Sequence, residues 1–401
     1  MFATSSQSAA DAPAPPRGFF SLELLDNRYP ALHGLRVLAI LSVVQFHVTW
    51  IFAGEQGIRL DGDFVASSLA VFFGMDLFFV LSGFLIGSIL LHAIDKAGSQ
   101  QVGRFYLRRI FRTFPSYYVV LTFLVLTTAL TPGQRAHLPY EYLYATNFMP
   151  LGRPDIVMFW GWSLSLEEQF YLLVPLLMLI LYKLRDDRMR AAFLVAFWAA
   201  ALAVRMTIYL HHRPWSDLGL YGALYFHLQT RFDTLIAGIL LALCHRRWKT
   251  QIGQWLRAPF HRALLAMPAL ACLWLLLFPT VLGAENVQLF HVFAWGTLTT
   301  LMYFAALTLL LHDRGPISRL LSAPLFRRLA TLGYGVYLVH IPILDRCVVP
   351  AAHALQARRV PQVILWPFSF AVVMAGSLLI AWLLHLIIEK PALRLRDRIA
   401  G

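Results

Sequence analysis

The chain has 401 residues, of which 59% are hydrophobic and only 14% charged, with a formal net charge of +13. Ordinary soluble domains carry about 25% charged residues, so a soluble globule of this length, which needs a charged surface, is excluded. The positive charge does not point to nucleic acid, because the basic residues sit in short clusters between apolar runs, the distribution that membrane topology imposes.

Residues 1–30 are rich in Ala, Pro, Ser and Asp and read as a flexible cytoplasmic tail. They contain no apolar core of the kind found in a signal peptide. A spanning helix needs roughly 20 apolar residues. Ten runs meet or approach that: 32–53, 65–92, 113–131, 158–182, 191–210, 221–244, 263–283, 289–311, 328–349 and 363–388. The fifth is interrupted by Arg205, and the sixth carries Arg231 and Asp233. The predicted class is therefore all-α and polytopic, with a transmembrane domain over 31–391 and a short basic tail over 392–401. Cys244, Cys272 and Cys347 fall in or beside apolar runs and show neither disulfide-framework nor zinc spacing.

The basic residues set the expected topology. The even-numbered connections and both termini hold 24 of the 34 Lys and Arg. The opposite connections hold six: Arg59, Arg135, Arg153, Arg213, Arg358 and Arg359. This asymmetry fits ten helices with both termini in the cytoplasm, since positive residues stay inside.

Several ionisable residues fall within the predicted spans, where charge costs at least about 2.5–3.5 kcal/mol per residue and so faces a protein interior or a cavity. Arg36 and His47 lie eleven residues apart on the first helix, close to three turns. They share a face, with an axial separation of about 16 Å. Asp76, Glu167, Glu168 and Asp233 lie at similar depths on helices that enter from the outer side, and His340 lies near mid-span. A base and a carboxylate at one depth suit general-base catalysis on a hydroxyl. Structural ion pairs, such as Arg231 or Arg205 with Asp233, are the competing expectation for Asp76 and Asp233. On the inner side, Arg108, Arg109 and Arg112 lie in YLRRIFRTFP, within one helical turn of one another. Arginine forks suit phosphate. A phosphate-bearing donor with a thin arm, held inside and reaching toward His47, would use both clusters. A carrier for an anionic solute would use the same charges.

The motifs carry a resemblance. LHGLRVLAILSVVQFHV spans Arg36 and His47. FFGMDLFFVLSGFLIG includes Gly74, Asp76, Phe78, Phe79, Ser82, Gly83 and Phe84. FYLRRIFRTFPSYY includes Arg108, Arg109, Arg112 and Pro115. WSLSLEEQFYLLVP includes Trp162, Ser163, Leu164, Glu167, Phe170, Tyr171 and Pro175. RFDTLIAGILLAL includes Arg231 and Asp233, LGYGVYLVHIP includes Tyr334, Tyr337 and His340, and EKP covers Glu389 to Pro391. In this order over roughly 31–391, the chain resembles the acyltransferase family 3 membrane proteins, bacterial O-acetyltransferases of polysaccharides, peptidoglycan and some natural products. The main departure is Gly335, where many members have Ser or Tyr nearby.

The resemblance implies an inner-membrane O-acyltransferase with acyl-CoA as donor substrate and no resident cofactor or metal. Arg36, Arg108, Arg109 and Arg112 would hold the donor's phosphates. His47 would be the general base, with Glu167, or Asp76, orienting the imidazole or stabilising its charged form. The acceptor hydroxyl would belong to a saccharide, a lipid-linked glycan or a glycosylated natural product, reached from the outer face or the bilayer. Ser82, Ser163 and Ser165 could carry a covalent acyl group but show no triad spacing, and the choice between direct transfer and a covalent acyl-enzyme stays open. Because the chain ends soon after the tenth run, no soluble SGNH-type esterase domain is expected. The rival expectation is a transporter or flippase without chemistry.

Overall fold

The computed structural model describes residues 20–96, 100–149, 155–211, 215–278 and 286–400. The basic positions Arg17, Arg153 and Arg213 lie outside the described residues. The predicted all-α class holds, with 85% helix and no strand among the described residues.

The helices are α1 (Ala31–Trp50), α2 (Gly62–Leu69), α3 (Gly74–Lys96), α4 (Gln100–Thr127), α5 (Pro132–Tyr142), α6 (Trp162–Lys183), α7 (Asp187–His211), α8 (Asp217–Tyr225) and α9 (Leu228–Trp255). They continue as α10 (Pro259–Leu277), α11 (Val287–Phe293), α12 (Thr299–His312), α13 (Pro316–Leu321), α14 (Pro324–Ile343), α15 (Val349–Ala357), α16 (Gln362–Leu384) and α17 (Lys390–Ala400). Nine stretches among the described residues are long and apolar enough to cross a membrane, and they coincide with nine of the ten predicted runs. The remaining run, 221–244, becomes α8 and α9. Its α9 has 28 residues and is kinked at Trp248, and its polar residues, Arg231 and Asp233 among them, keep it out of the set that qualifies by composition. The protein resolves that conflict by burial. α9 packs against α3 and α7, and Arg231, Asp233 and most of its apolar residues are shielded by other helices.

The reverse holds on the rim. Leu172, Leu173, Leu176, Leu179 and Ile180 are exposed along α6, at the 3–4 residue spacing of one helix face. In lipid such a stripe is solvated by acyl chains.

The α3–α9 crossing rests on small residues. Gly83 and Gly87 form a Gly-x-x-x-Gly pair on α3, opposite Gly238 and Ala242 on α9. A Cβ at Gly83 would run into the Leu235 carbonyl, and one at Gly238 would run into the Val80 carbonyl and lie 2.5 Å from the Phe84 nitrogen. Small residues let backbones approach where lipid offers no hydrophobic drive for helix association. We expect Gly238→Val to abolish folded expression, because both obstructing groups are backbone. Fluorescence-detection size exclusion in detergent is the check, and a monodisperse wild-type-like peak would refute the packing described.

Residues 20–29 precede α1 without regular secondary structure and bond to the ends of the last helices. The Lys390 ammonium donates to the Ser21 carbonyl at 2.7 Å. The Glu23 amide donates to Nε2 of His385 at 3.1 Å. The Arg327 guanidinium donates to the Leu25 carbonyl at 2.7 Å, and the Leu25 amide donates to the Thr331 hydroxyl at 3.3 Å. The EKP segment thus anchors the approach to the first helix, with Glu389 holding the other nitrogen of His385 at 2.9 Å.

Candidate active site

A cavity of about 460 Å³ opens among α1, α3, α4, α6 and α14. Arg36, Arg108, Arg109 and Arg112 all line it. α4 brings three of them together because it runs unbroken through Pro115, so the arginines occupy the helix rather than a loop before it. Arg36, Arg109 and Arg112 are close enough to repel one another. Glu167 lines the same cavity, near enough to Arg109 and Arg36 to be attracted by both and within reach of the Ser82 and Tyr171 hydroxyls. Those hydroxyls are 2.5 Å apart. Arg109 stacks its guanidinium 4.9 Å over the Tyr171 ring, which fixes the fork without consuming its donors. A clustered excess of guanidiniums with few acids is an environment short of negative charge, and anions with several oxygens suit it.

Tyr337 and Ser163 line the same cavity. Tyr337 donates its phenol proton to the Trp160 carbonyl at 2.7 Å. Its oxygen can then only accept from Ser163, 2.5 Å away. One turn along α14, Nδ1 of His340 lies 2.7 Å from the Tyr337 carbonyl. Nε2 of His340 lies 3.0 Å from Nδ1 of His47. A carbonyl only accepts, so His340 carries its proton on Nδ1 and, when neutral, offers a lone pair on Nε2. His47 must then donate from Nδ1, which leaves Nε2 of a neutral His47 as the basic nitrogen. Trp50 and Phe159 pack edge-on against the His47 ring, and both imidazoles are buried.

The structure therefore brings Arg36, Arg108, Arg109, Arg112 and Glu167 to one cavity and sets His47 at the far end of α1 from it. Glu167 sits with the arginines, while Nδ1 of His47 faces His340. Asp76 belongs elsewhere. It is fully buried and paired with Arg231, beside the Arg205–Asp233 pair at 2.8 Å. Arg205 also donates to the Val292 carbonyl at 2.8 Å and to the Thr297 hydroxyl at 2.6 Å. The chain between those two residues unwinds at Gly296, whose φ is +115°, and a Cβ there would collide with Asp233 and Arg205. His340, Ser163 and Tyr337 are the site residues to which sequence reasoning assigns no role. Their signal is present as Tyr337-x-x-His340, three residues apart and hence on one helical face, at the depth of His47.

The acyltransferase domain family model matches residues 29–386. The chain is 27% identical over 346 residues to the peptidoglycan O-acetyltransferase OatA of Listeria monocytogenes, covering 79% of this chain and 49% of that protein. It is 29% identical over 335 residues to YrhL of Bacillus subtilis, provisionally named a peptidoglycan O-acetyltransferase, with the same coverage. A Staphylococcus aureus protein provisionally named an O-acetyltransferase is 29% identical over 238 residues, 53% of this chain and 34% of its own length. The chain spans about half the length of the first two relatives and less of the third. No solved structure matches it. A family match across nearly the whole helical body, on a chain whose helices are built to cross a bilayer, makes this protein a member of acyltransferase family 3.

Proposed function

We propose that the protein transfers an acetyl group from cytoplasmic acetyl-CoA to a saccharide hydroxyl presented at the outer side or within the bilayer, in a cytoplasmic membrane with both termini inside. The observation that carries this reading is the arginine-lined cavity, whose inner end is walled by Tyr337, the residue whose carbonyl fixes the His340–His47 pair. A donor with phosphates at one end and a thioester at the end of a thin arm suits that layout. Arg36 and His47 are about 16 Å apart along α1, and the pantetheine arm is of that order in extended form. The saccharide acceptor follows from the names of the relatives, two of which are called peptidoglycan O-acetyltransferases.

The residues divide the work as follows. Arg36, Arg109 and Arg112, with Arg108 at the mouth, bind the donor's phosphates. Glu167 holds Arg36 and Arg109 in place and limits their mutual repulsion before the donor arrives. This differs from the role expected from sequence, in which it orients the imidazole. His47 accepts the acceptor's hydroxyl proton on Nε2 as the oxygen attacks the thioester carbonyl carbon. The imidazolium so formed keeps its Nδ1 hydrogen bond to His340, which confines the positive charge near the reacting centre. As the tetrahedral intermediate collapses, the carbon–sulfur bond breaks. His47 returns the proton to the departing sulfur, leaving the ester, the free thiol and a neutral imidazole. Asp76 has a structural role in this scheme.

Purified protein in nanodiscs, given radiolabelled acetyl-CoA and an oligosaccharide acceptor extract, tests the reading. Label will appear in an alkali-labile ester on the saccharide. Arg109→Ala will weaken acetyl-CoA binding about 10- to 100-fold, the range for losing charge-assisted hydrogen bonds, with a smaller effect on the single-turnover rate at saturation. Movement of solute across vesicles with no ester formed would overturn the proposal in favour of a transporter.

A further inference from the structure

His33 also lines the cavity, and the scheme above leaves it unused. It is the third residue of α1 and only 3% exposed. Neither of its ring nitrogens makes a well-formed hydrogen bond among the described residues, and the one polar backbone group near the ring is that of Asp26. A buried imidazole with both nitrogens unmet costs free energy unless a ligand or water completes it. Its charged neighbours are Arg36, Arg327 and Asp26, so cations outnumber the acid. It also stands at the N-terminus of a 20-residue helix with no side-chain cap and no acidic residue in its first turn. The first amides there already close onto Tyr29 and Pro30, so the helix contributes the positive end of its dipole rather than free donors.

We propose that His33, flanked by Arg36 and Arg327 at the start of α1, forms a subsite for a terminal phosphomonoester of the donor. The inference rests on the acyl-CoA reading and extends it. His33 lies three residues before Arg36, about 4.5 Å further from His47 along the helix. The diphosphate occupies the Arg36, Arg109 and Arg112 level, and a phosphate lying beyond it reaches His33. A phosphomonoester carries about −1.5 to −2 charge near neutral pH and three acceptor oxygens, which matches one imidazole donor between two guanidiniums. Asp26, whose Oδ1 accepts the Arg28 amide at 3.2 Å, is the acid such a ligand has to tolerate.

The test compares the binding of acetyl-CoA and 3′-dephospho-acetyl-CoA to the full chain in phosphatidylcholine nanodiscs, which contain no phosphomonoester lipid. Wild type will prefer acetyl-CoA by about 10-fold or more. His33→Ala will reduce that preference to within about threefold while leaving the affinity for the dephospho compound unchanged. Arg327→Gln is the second variant, for use should His33→Ala fail to fold, and it will shrink the same ratio. Equal wild-type affinities, or a preference unaltered in either folded variant, would overturn the subsite and leave the donor reading standing. Wild type that binds neither compound would overturn both.

Discussion

Replacing His47 with alanine will lower kcat for acyl transfer by about 10²- to 10⁴-fold, the span associated with one general base, and will leave the Kd for acetyl-CoA within a factor of about three. The split follows from geometry. His47 sits about three turns along α1 from Arg36 and does not line the arginine cavity, so the phosphate grip survives its loss. Labelled-acetyl transfer and calorimetric binding on the same nanodisc preparation measure both quantities. A Kd that rises in step with the loss of kcat would place the imidazole in donor binding instead. His340 acts through His47, and the tautomer argument predicts an ordered series. His340→Ala removes the acceptor for the His47 Nδ1 proton and lowers kcat with KM little changed. His340→Gln, whose side-chain carbonyl can accept that proton, recovers part of the loss. A merely structural histidine would show no such rescue.

The series also marks where the sequence was legible. Lengths and apolar runs were read well because a bilayer imposes one period and one length on every spanning segment. The run at 221–244 was the exception in composition, since α9 hides Arg231 and Asp233 inside the bundle, where hydropathy no longer measures contact with lipid. Depth was legible only in part: it put His47, Asp76, Glu167 and Asp233 at similar levels, whereas Glu167 shares a cavity with Arg36, about three turns along α1 from His47. Azimuth was not. Which way a side chain points around a helical bundle depends on which helices pack together, and one sequence holds no record of that. Asp76 and Glu167 looked alike from their depths. The α3–α9 contact turns Asp76 onto Arg231, whereas α6 turns Glu167 into the cavity. His340 was visible near mid-span as Tyr337-x-x-His340, but its bond to His47 was not, because that depends on the α1–α14 contact. Nothing in the sequence marked His33, because its interest lies in hydrogen bonds that are not made.

Asp76→Asn will destabilise the protein by about 3–5 kcal/mol, the cost of stranding one partner of a buried ion pair, and the pair's surroundings explain why. Asp76 and Arg231 are both fully buried, and the guanidinium also lies 4.5 Å over the Tyr225 ring. In a membrane interior no water can enter cheaply to solvate an unpaired Arg231, and the neighbouring Arg205–Asp233 pair is already committed at 2.8 Å. The asparagine keeps shape and volume, so the loss reports charge rather than packing. The pair is also imperfectly satisfied, since Nε and Nη1 of Arg231 have no hydrogen-bond partner among the described residues. Removing both charges should therefore cost less than removing one. Asp76→Leu with Arg231→Met will recover most of the stability lost by the single variant, the non-additivity expected of directly coupled residues. Unfolding in detergent with increasing SDS measures both. The same variants decide what Asp76 does. If it is structural, the folded fraction of the double variant retains acyl transfer within about tenfold of wild type. A double variant that folds like wild type but has lost transfer as completely as His47→Ala would return Asp76 to the chemistry, with the ion pair as its resting state.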